Sequence, residues 1–479
     1  MAVARMRFLD RGEEDLIHRK SIECLETIGV KIKSAKVLKM LEGAGAKVDH
    51  KSQIAKIPEA LVKEAIGSVP KEITLYGRNP KNDMRMPVAS WPHMGTNGLG
   101  TFIPDIDTGK NRDSTVKDIA DCVKLADALD GVSYVQTSLT ATEAPHLTHG
   151  LHELWTAFQN TSKHVHGVEI FDAEDAKKQI ELGALIAGGR DILRKKPCFS
   201  VIHCSIAPQM FERDAVEAMV EFAKAGVGVT TMTMSLSGGT APVTVAGTIV
   251  NGNSENLASA VICQTASKGA RSIYCSSSAP INMATGMIHY ESANQALIQT
   301  GLAQMAKRYG LVCMVGDWGL NDSDSPGLPH TFSENLGIAI STMAGTDMCC
   351  GIGTLDNAKG MSLEQIVIDT YLWENVRKQM TTFEITDDTV ALDVFRQVGH
   401  GNTFLSNIHT ARNFKREIIQ RDPTKRWVEA TMSRAMIPEA REIAKRLLRE
   451  HEVERLDMST VKEGYKIISD YEKLRDGKS

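Results

Sequence analysis

The chain has 479 residues, of which 42% are hydrophobic and 24% charged, a composition typical of a folded globular protein. Lys and Arg total 55 against 59 for Asp and Glu, so the chain lacks the positive excess that nucleic-acid binding draws on. The amino terminus becomes charged before an apolar signal segment can form, and no stretch approaches the roughly 18 apolar residues of a membrane span. We therefore expect a cytoplasmic protein whose nine cysteines, odd in number and irregularly spaced, remain reduced thiols.

The predicted elements change character twice along the chain. Residues 1–90 are predicted to form a helical extension, with a possible hairpin in the segments IAKIP and EITLYG. From about residue 97 to 380, short β-rich runs alternate with amphipathic stretches of roughly 12 to 20 residues. One such stretch, DAVEAMVEFAKAG, repeats apolar residues at helical spacing and stops at Gly226. The eight β-rich runs are 97–104, 132–139, 164–170, 198–206, 228–236, 270–277, 311–317 and 346–354.

The number and spacing of these units predict the fold. Successive strand and helix units of this size form parallel strands with right-handed crossovers. Eight units favour a closed barrel over an open sheet, and no G-x-G-x-x-G follows the first run to indicate a dinucleotide-binding fold. The sequence therefore predicts an α/β protein: a TIM-type (β/α)8 barrel at 91–380, an N-terminal helical extension at 1–90, and a C-terminal helical segment at 381–479 that packs on the barrel.

In such a barrel the active site lies at the C-terminal ends of the strands, so polar side chains late in each run are the candidates. In DWGLNDSDSPG the neighbours Asp317 and Trp318 combine a carboxylate with an aromatic ring, which suits a cation. The segments MSLSGGTAPVTVAG and SSSAPINMATG follow two other runs, and ligand contact and ordinary loop hydrogen bonding are both compatible with them. The candidates at the run ends are Asn97, Ser138, His166, Glu169, His203, Ser235, Ser276, Asp317, Trp318, Leu355 and Asp356.

Histidines are concentrated in one part of the chain. Five of the fourteen lie between residues 146 and 166, in HLTHGLHE and KHVHG, but neither segment matches the metal-binding pattern H-E-x-x-H. His164 and His166 alternate on a predicted strand and so point the same way. A substrate contact and a packed core position are both open for them.

The pair Cys349 and Cys350 in GTDMCCGIG resembles the vicinal pair at the zinc site of barrel homocysteine methyltransferases, with Cys275 or Cys263 as a third ligand. A zinc-dependent thiol methyltransferase is therefore one alternative function. Adjacent strand residues face opposite sides of a sheet, however, and small buried Cys is common in barrel cores. We predict no metal site.

Several motifs in a fixed order resemble the trimethylamine methyltransferase family of corrinoid-dependent enzymes. They are GGTAPVTVAG, SSSAPINMATG, AKRYGL, GTLDNAKGMSLEQIVID and GHGNTFLSNIHTARNFKRE, preceded by NTSKHVHG, which is similar to the family's Asn-Thr-Thr-Lys segment with Ser162 in place of the second Thr. The likeness runs over most of the chain. It implies a barrel with added helices and the transfer of a methyl group from an amine to Co(I) of a separate corrinoid protein.

One departure from the family narrows the expected substrate. The archetypal trimethylamine enzyme carries pyrrolysine, whereas this chain contains only the twenty standard residues. A chain without the group that quaternises the amine should start from an amine that is already quaternary. The resemblance therefore implies the non-pyrrolysine branch, closest to the glycine betaine:corrinoid methyltransferases, with proline betaine and carnitine as alternative substrates. A non-catalytic betaine-binding barrel is a further class to test.

The resemblance also implies how the site should be built. The corrinoid motif D-x-H-x-x-G is absent, so we expect no cofactor bound in this chain and a cob(I)alamin on a cognate corrinoid protein as methyl acceptor. A homo-oligomer is compatible with the sequence. We predict that Trp318 lies against the trimethylammonium, that neutral side chains donate to the carboxylate, and that Asp356 balances the ammonium or caps the next helix. The predicted substrate-binding residues are Asn97, His166, His203, Trp318 and Asp356.

Overall fold

The structure is a computed structural model that describes residues 4–167, 169–318, 320, 323–327, 331–417 and 436–476. Its centre is a closed barrel of eight parallel strands, which confirms the predicted TIM-type barrel. Each strand pairs with the next one along the chain, and the first pairs with the eighth to close the ring. The strands are β1 (His93–Thr96), β2 (Tyr134–Gln136), β3 (His164–His166), β4 (Phe199–Cys204), β5 (Gly228–Thr233), β6 (Ser272–Ser276), β7 (Cys313–Asp317) and β8 (Met348–Ile352).

A helix follows every strand and packs outside the barrel. Side chains at the N-terminal ends begin these helices: Thr115 forms a capping box with Asp118, and Ser362 accepts from the backbone of the eighth helix. The helices are α1 (Val116–Asp127), α2 (His149–Asn160), α3 (Ala173–Ala187), α4 (Arg213–Ala225), α5 (Val245–Ala266), α6 (Ala293–Arg308), α7 (Thr331–Ala344) and α8 (Leu363–Gln379). A short helix, Arg190–Lys195, precedes β4.

The first predicted strand, 97–104, is wrong. The barrel strand is His93–Thr96, whereas Phe102–Pro104 joins a side sheet with Asn111–Asp113, Thr354–Leu355 and Gly360–Met361. The physical reason lies at Gly95, where a Cβ would come within 2.3 Å of the Tyr134 ring. The strand therefore carries glycine where a β-rich run would carry a bulky residue.

The N-terminal segment contains strands as well as the predicted helices. Its helices are Arg11–Glu23, Ala35–Gly43 and Glu59–Ser68, with a π-helical turn at Cys24–Ile28 and a 3-10 turn at Pro80–Asn82. IAKIP and EITLYG belong to two different hairpins. Ile54–Lys56 pairs with Lys47–Asp49 in a sheet that includes Val30–Ile32 and Met210–Phe211, and Ile73–Leu75 pairs with Met84–Met86.

The second of these hairpins closes the basal end of the barrel, the end at which the strands begin. Its apolar side chains are fully buried and pack with the side chains that fill the lower lumen. We call it the floor hairpin. The buried hairpin residues are Ile73, Leu75, Met84 and Met86, and the lumen residues in the same cluster include Tyr134, Ile273, Val312, Met314 and Met348.

The described part of the C-terminal segment contains helices, as predicted. Met436–Glu450 packs on α8, where Arg441 pairs with Glu364 at 3.0 Å, and Met458–Asp476 packs on α3, where Arg475 pairs with Asp172 at 2.7 Å. Among the described helices, none is long and apolar enough to span a membrane. The remaining helices and short strands are Asp387–Val390, Leu392–Val398, Ile408–Glu417, Leu236–Ser237 and Ala279–Pro280.

Candidate active site at the upper lumen

Strand alternation decides which side chains enter the barrel. On β4, Ser200, Ile202 and Cys204 face the lumen, whereas Phe199 and His203 face the surrounding helices. On β3, the two histidines point the same way, as their spacing predicted, and the structure places them in the lumen. We call the half of the barrel interior at the C-terminal ends of the strands the upper lumen. It is open to solvent, as shown by several inward side chains that keep accessible surface. They are Ile202, Cys204, Met232 and Asp317.

Asp317 supplies a carboxylate to this space. Its Oδ2 accepts from Ser277 Oγ at 2.7 Å and from Gln299 Nε2 at 2.9 Å, and its Oδ1 accepts from Cys350 Sγ at 3.6 Å. Burial raises the pKa of Asp317 to about 6, because the three hydrogen bonds only partly offset the loss of water around the charge. The Asp317 carboxyl is therefore held in a fixed position, and a cation beside it would stabilise its ionised form.

A bulge in β7 turns Asp317 into the lumen. Pairing between β7 and β8 shifts register between Met314 and Asp317, and Gly316 has a φ of 125°. A Cβ on Gly316 would lie 2.8 Å from Ser341 Oγ, so only glycine fits this backbone. The bulge reverses the alternation, which places Asp317 inside the barrel and Trp318 outside it.

Thiols line the same part of the lumen. Burial raises the pKa values of Cys275 and Cys350 well above the ordinary thiol range, whereas the third thiol, Cys204, is exposed. Neutral thiols near Asp317 leave its carboxylate as the negative group on this side. The lining of the lumen here is therefore polarisable and weakly polar, which suits van der Waals contact with methyl groups.

The paired cysteines of the GTDMCCGIG segment point to opposite faces. Cys350 lies in the lumen, whereas Cys349 Sγ contacts Val315 O at 3.9 Å on the helix side of the strand. One metal ion cannot be shared by two thiols on opposite faces of a strand. Within the described residues, no group of three or more His, Cys, Asp or Glu side chains is arranged to hold a metal ion.

A second carboxylate stands beside β3. Burial, together with Glu153, raises the pKa of Glu169, which lies close enough to Cys204 to raise that thiol's pKa as well. Glu153 is occupied, because its Oε1 contacts His149 Nδ1 at 2.7 Å and accepts from the Ala141 N–H at 3.0 Å. Glu169 is partly exposed and follows β3, the strand next to β2.

Hydrogen-bond donors lie at β1 and β2. Gln136 faces the lumen, is 2% exposed, and its Nε2 has no hydrogen-bond partner. The Oδ1 of Asn97 accepts from the Gly98 N–H at 2.9 Å, which leaves the Asn97 amide nitrogen as the donor it can offer. β2 lies opposite β6 and three strands from β7, so Gln136 and Asp317 are on different sides of the lumen, a donor side and an acidic side, and Asn97 after β1 lies between them, two strands from β7.

A hydrogen-bond chain fixes the protonation of the two lumen histidines. His164 Nδ1 donates to Tyr76 O at 2.9 Å, and burial lowers the pKa of His164 to about 4, so its Nε2 must accept from Ser200 Oγ at 2.7 Å. Ser200 Oγ then accepts from His166 Nδ1 at 2.7 Å. Burial also lowers the pKa of His166 to about 3, so the ring is neutral. Its Nε2 is unprotonated, and the lone pair on this nitrogen has no hydrogen-bond partner.

The five predicted substrate-binding residues are not brought together. Asn97 lies at the open end of the barrel, and His166 lies in the lumen, but His166 presents an acceptor rather than the predicted donor. His203 faces away from the lumen and stacks on Phe211 at 5.9 Å between ring centroids. Its position at a strand end suggested the site, whereas alternation from inward Ser200 places it outside.

Trp318 and Asp356 also depart from their predicted settings. Trp318 is fully buried and packs edge-on against Trp373 of α8 at 6.4 Å, so it is a core residue behind the strand. Asp356 has a φ of 45° in the turn after Thr354–Leu355, and its carboxylate pairs with Lys359 at 3.1 Å. Ser362, not Asp356, caps α8.

The NTSK segment has a structural role. Thr161 Oγ1 donates to Asp127 at 2.6 Å, and Lys163 Nζ donates to the carbonyls of Ala126 and Leu129, each at 2.8 Å. Burial lowers the pKa of Lys163 to about 8. These contacts hold the C-terminal end of α1, where a positive charge is favourable.

Sequence reasoning missed Gln136, Ser200 and Cys204. All three are small or neutral residues that composition does not single out. Counting alternation outward from the predicted inward pair on β3 would have found Ser200 and Cys204, because β3 and β4 are neighbours with a regular register.

Comparison with known proteins agrees with the geometry. The family model described as trimethylamine methyltransferase matches residues 1–471. The trimethylamine methyltransferase MttB of Desulfitobacterium hafniense (strain DSM 10664 / DCB-2) is 32% identical over 428 residues, covering 88% of this chain and 85% of that protein. The glycine betaine methyltransferase of Desulfitobacterium hafniense (strain Y51) is 28% identical over 415 residues, covering 86% and 85%.

A solved structure shares the fold. The monomethylamine methyltransferase of Methanosarcina barkeri superposes with a TM-score of 0.56 at 12% identity, covering 92% of this chain and 88% of that chain. At that identity the likeness concerns the architecture alone: a closed barrel with surrounding helices.

Proposed function

The chain belongs to the trimethylamine methyltransferase family, and from this premise we propose that it demethylates a quaternary trimethylammonium compound, glycine betaine. The methyl group passes to Co(I) of a corrinoid protein that is a separate chain. The product is dimethylglycine. The observation that carries the choice of substrate is the division of the upper lumen into an acidic side and a donor side.

A zwitterion matches this division. The carboxylate of Asp317 attracts the ammonium, and the thiol and thioether groups that line the lumen make van der Waals contact with its methyl groups. The amide nitrogens of Gln136 and Asn97 are donors for the carboxylate on the other side. Trimethylamine has no carboxylate, so the hydrogen-bond donors Gln136 and Asn97 would have no partner on it.

The reaction needs little from acid or base groups. When the methyl carbon is displaced in line, the C–N electron pair stays on nitrogen and the leaving amine is neutral, so no proton must be supplied. The protein's task is to hold the ammonium with one methyl group pointing to the open end of the barrel. A buried carboxylate beside the ammonium, among neutral thiols, performs that positioning.

The test is spectroscopic. The purified protein is mixed with cob(I)alamin and then with glycine betaine, trimethylamine or tetramethylammonium, and the loss of the Co(I) band and the appearance of dimethylglycine are followed. We expect turnover with glycine betaine, and weaker turnover with tetramethylammonium, which has the cation but no carboxylate. Equal rates with trimethylamine would contradict the assignment.

Two controls separate the alternatives. Without any corrinoid, glycine betaine should bind but no dimethylglycine should form, because the acceptor is outside this chain. Binding without loss of Co(I) in the complete mixture, including the cognate corrinoid protein, would instead identify a betaine-binding barrel. Proline betaine and carnitine in the same assay test which other carboxylate-bearing quaternary amines the site accepts.

A further inference from the structure

A second cavity lies at the basal end of the barrel, opposite the open end. Its volume is about 470 Å3, and it lies where β5 and β6 begin and the floor hairpin leaves the barrel. We call it the basal cavity. Its charged and aromatic lining residues are Glu72, Tyr76, Arg194, Lys224, Lys268 and Arg271.

The guanidinium of Arg271 is held by neutral groups. Its Nη1 donates to Arg194 O at 2.9 Å and to Gly226 O at 2.6 Å, and its Nη2 donates to Lys195 O at 3.0 Å. Arg194 is fixed in the same way, since its Nη2 donates to Lys224 O at 2.5 Å. Both side chains are therefore positioned by backbone carbonyls, which fix geometry but supply no countercharge.

The positive charge of the cavity is poorly compensated. Among the described side chains, no carboxylate forms an ion pair with Arg194 or Arg271, whose recorded partners are backbone carbonyls, and burial lowers the pKa of Arg271. The two lining lysines make only long contacts: Lys224 to Glu221 and Lys268 to Glu64, each at 3.5 Å. The carbonyls at the C-terminal ends of α4 and of Arg190–Lys195 offset part of this charge, and a bound anion would offset the rest.

We propose that the basal cavity binds a phosphate-bearing small molecule, a function separate from methyl transfer. Glu221 and Glu64 lie near the two lysines, which leaves two guanidiniums against the single lining carboxylate Glu72. A phosphate ester carries about two negative charges and suits guanidinium groups, whereas a monocarboxylate carries one. The cavity also exceeds the needs of inorganic phosphate alone, because ligand pockets for small organic molecules begin at about 300 Å3. Tyr76 lines the same cavity and supplies an aromatic surface for the organic part of the ligand.

The experiment is calorimetric titration of the intact protein with inorganic pyrophosphate, ADP and adenosine at about 0.15 M salt. We expect saturable binding of pyrophosphate and ADP with one site per chain, and none of adenosine. Lys268→Glu and Arg194→Gln should each weaken ADP binding at least about tenfold. Lys117→Glu, on the exposed face of α1, is the matched control and should leave ADP binding unchanged.

Several outcomes would overturn the proposal. They are the absence of saturable binding, an equal loss in Lys117→Glu, which would indicate general charge attraction, and binding of adenosine alone. Self-association that Lys268→Glu abolishes, without any pyrophosphate binding, would show that the cavity receives an acidic segment of a second copy instead. Glycine betaine affinity should be the same in Lys268→Glu as in the unmodified protein, so a failure of the proposed methyl transfer does not affect this test.

Discussion

Glycine betaine binding should depend on pH through Asp317. Burial raises the pKa of this carboxyl to about 6, and only its ionised form attracts the ammonium. About one-tenth of the free protein carries the ionised group at pH 5, and about nine-tenths at pH 7. The dissociation constant should therefore be roughly tenfold larger at pH 5 than at pH 7, with a plateau above pH 7.

The effect of Asp317 on the free energy of unfolding depends on pH in the opposite sense to its effect on binding. Because the folded protein holds this proton more tightly than the unfolded chain, the contribution of Asp317 to stability is complete below about pH 4 and is lost as the pH rises through about 6. The loss approaches about 3 kcal/mol, since each pKa unit corresponds to about 1.4 kcal/mol. A bound ammonium stabilises the ionised carboxylate and so restores part of the lost stability. Glycine betaine should therefore raise the melting temperature more at pH 7, where Asp317 is ionised, than at pH 5.

Calorimetric titration between pH 5 and pH 8 measures this dependence, and Asp317→Asn is the control. The variant should bind glycine betaine weakly at every pH, with the pH slope much reduced, while Gln299 and Ser277 still hydrogen-bond the amide. A pH-independent affinity in the unmodified protein would refute the role of Asp317. An unchanged pH slope in Asp317→Asn would assign the titration to another group, Glu169 first.

Three other substitutions test the placement of side chains. Trp318→Ala should lower the free energy of unfolding by about 3 to 5 kcal/mol in chemical denaturation, because the ring is fully buried against Trp373; a loss below 1 kcal/mol would contradict its burial. Ser200→Ala leaves two buried imidazole nitrogens unpaired and should cost about 1 to 3 kcal/mol, and nitrogen NMR should show altered histidine tautomers; unchanged spectra would exclude the chain. His203→Phe should leave glycine betaine affinity unchanged, because His203 stacks on Phe211 outside the lumen; a several-fold loss would place it in the site.

The barrel could be predicted from the sequence because eight units repeat the same alternation of β-rich and amphipathic stretches. Seven of the predicted runs overlap the barrel strands. The first run does not, because the close approach of the Tyr134 ring to Gly95 is a contact between two strands that no local pattern reveals. Propensity favours Phe102–Pro104, and the tertiary contact decides otherwise.

The site was predicted less well because position along a strand does not give direction. His203 and Trp318 lie at strand ends, yet both side chains face the helices. For His203, alternation from Ser200 was sufficient to see this. For Trp318 it was not, because the bulge at Gly316 reverses the order, and a glycine in a strand indicates a bulge without giving its effect on the neighbours.

The floor hairpin has a kinetic consequence for the proposed reaction. Since Ile73–Leu75 and Met84–Met86 block the basal end, glycine betaine, dimethylglycine and the corrin ring share the opposite entrance. A corrin docked there covers the route by which the amine enters and leaves. The amine must therefore load first and its product depart last, an ordered sequence in which excess corrinoid protein traps the occupied site and slows turnover.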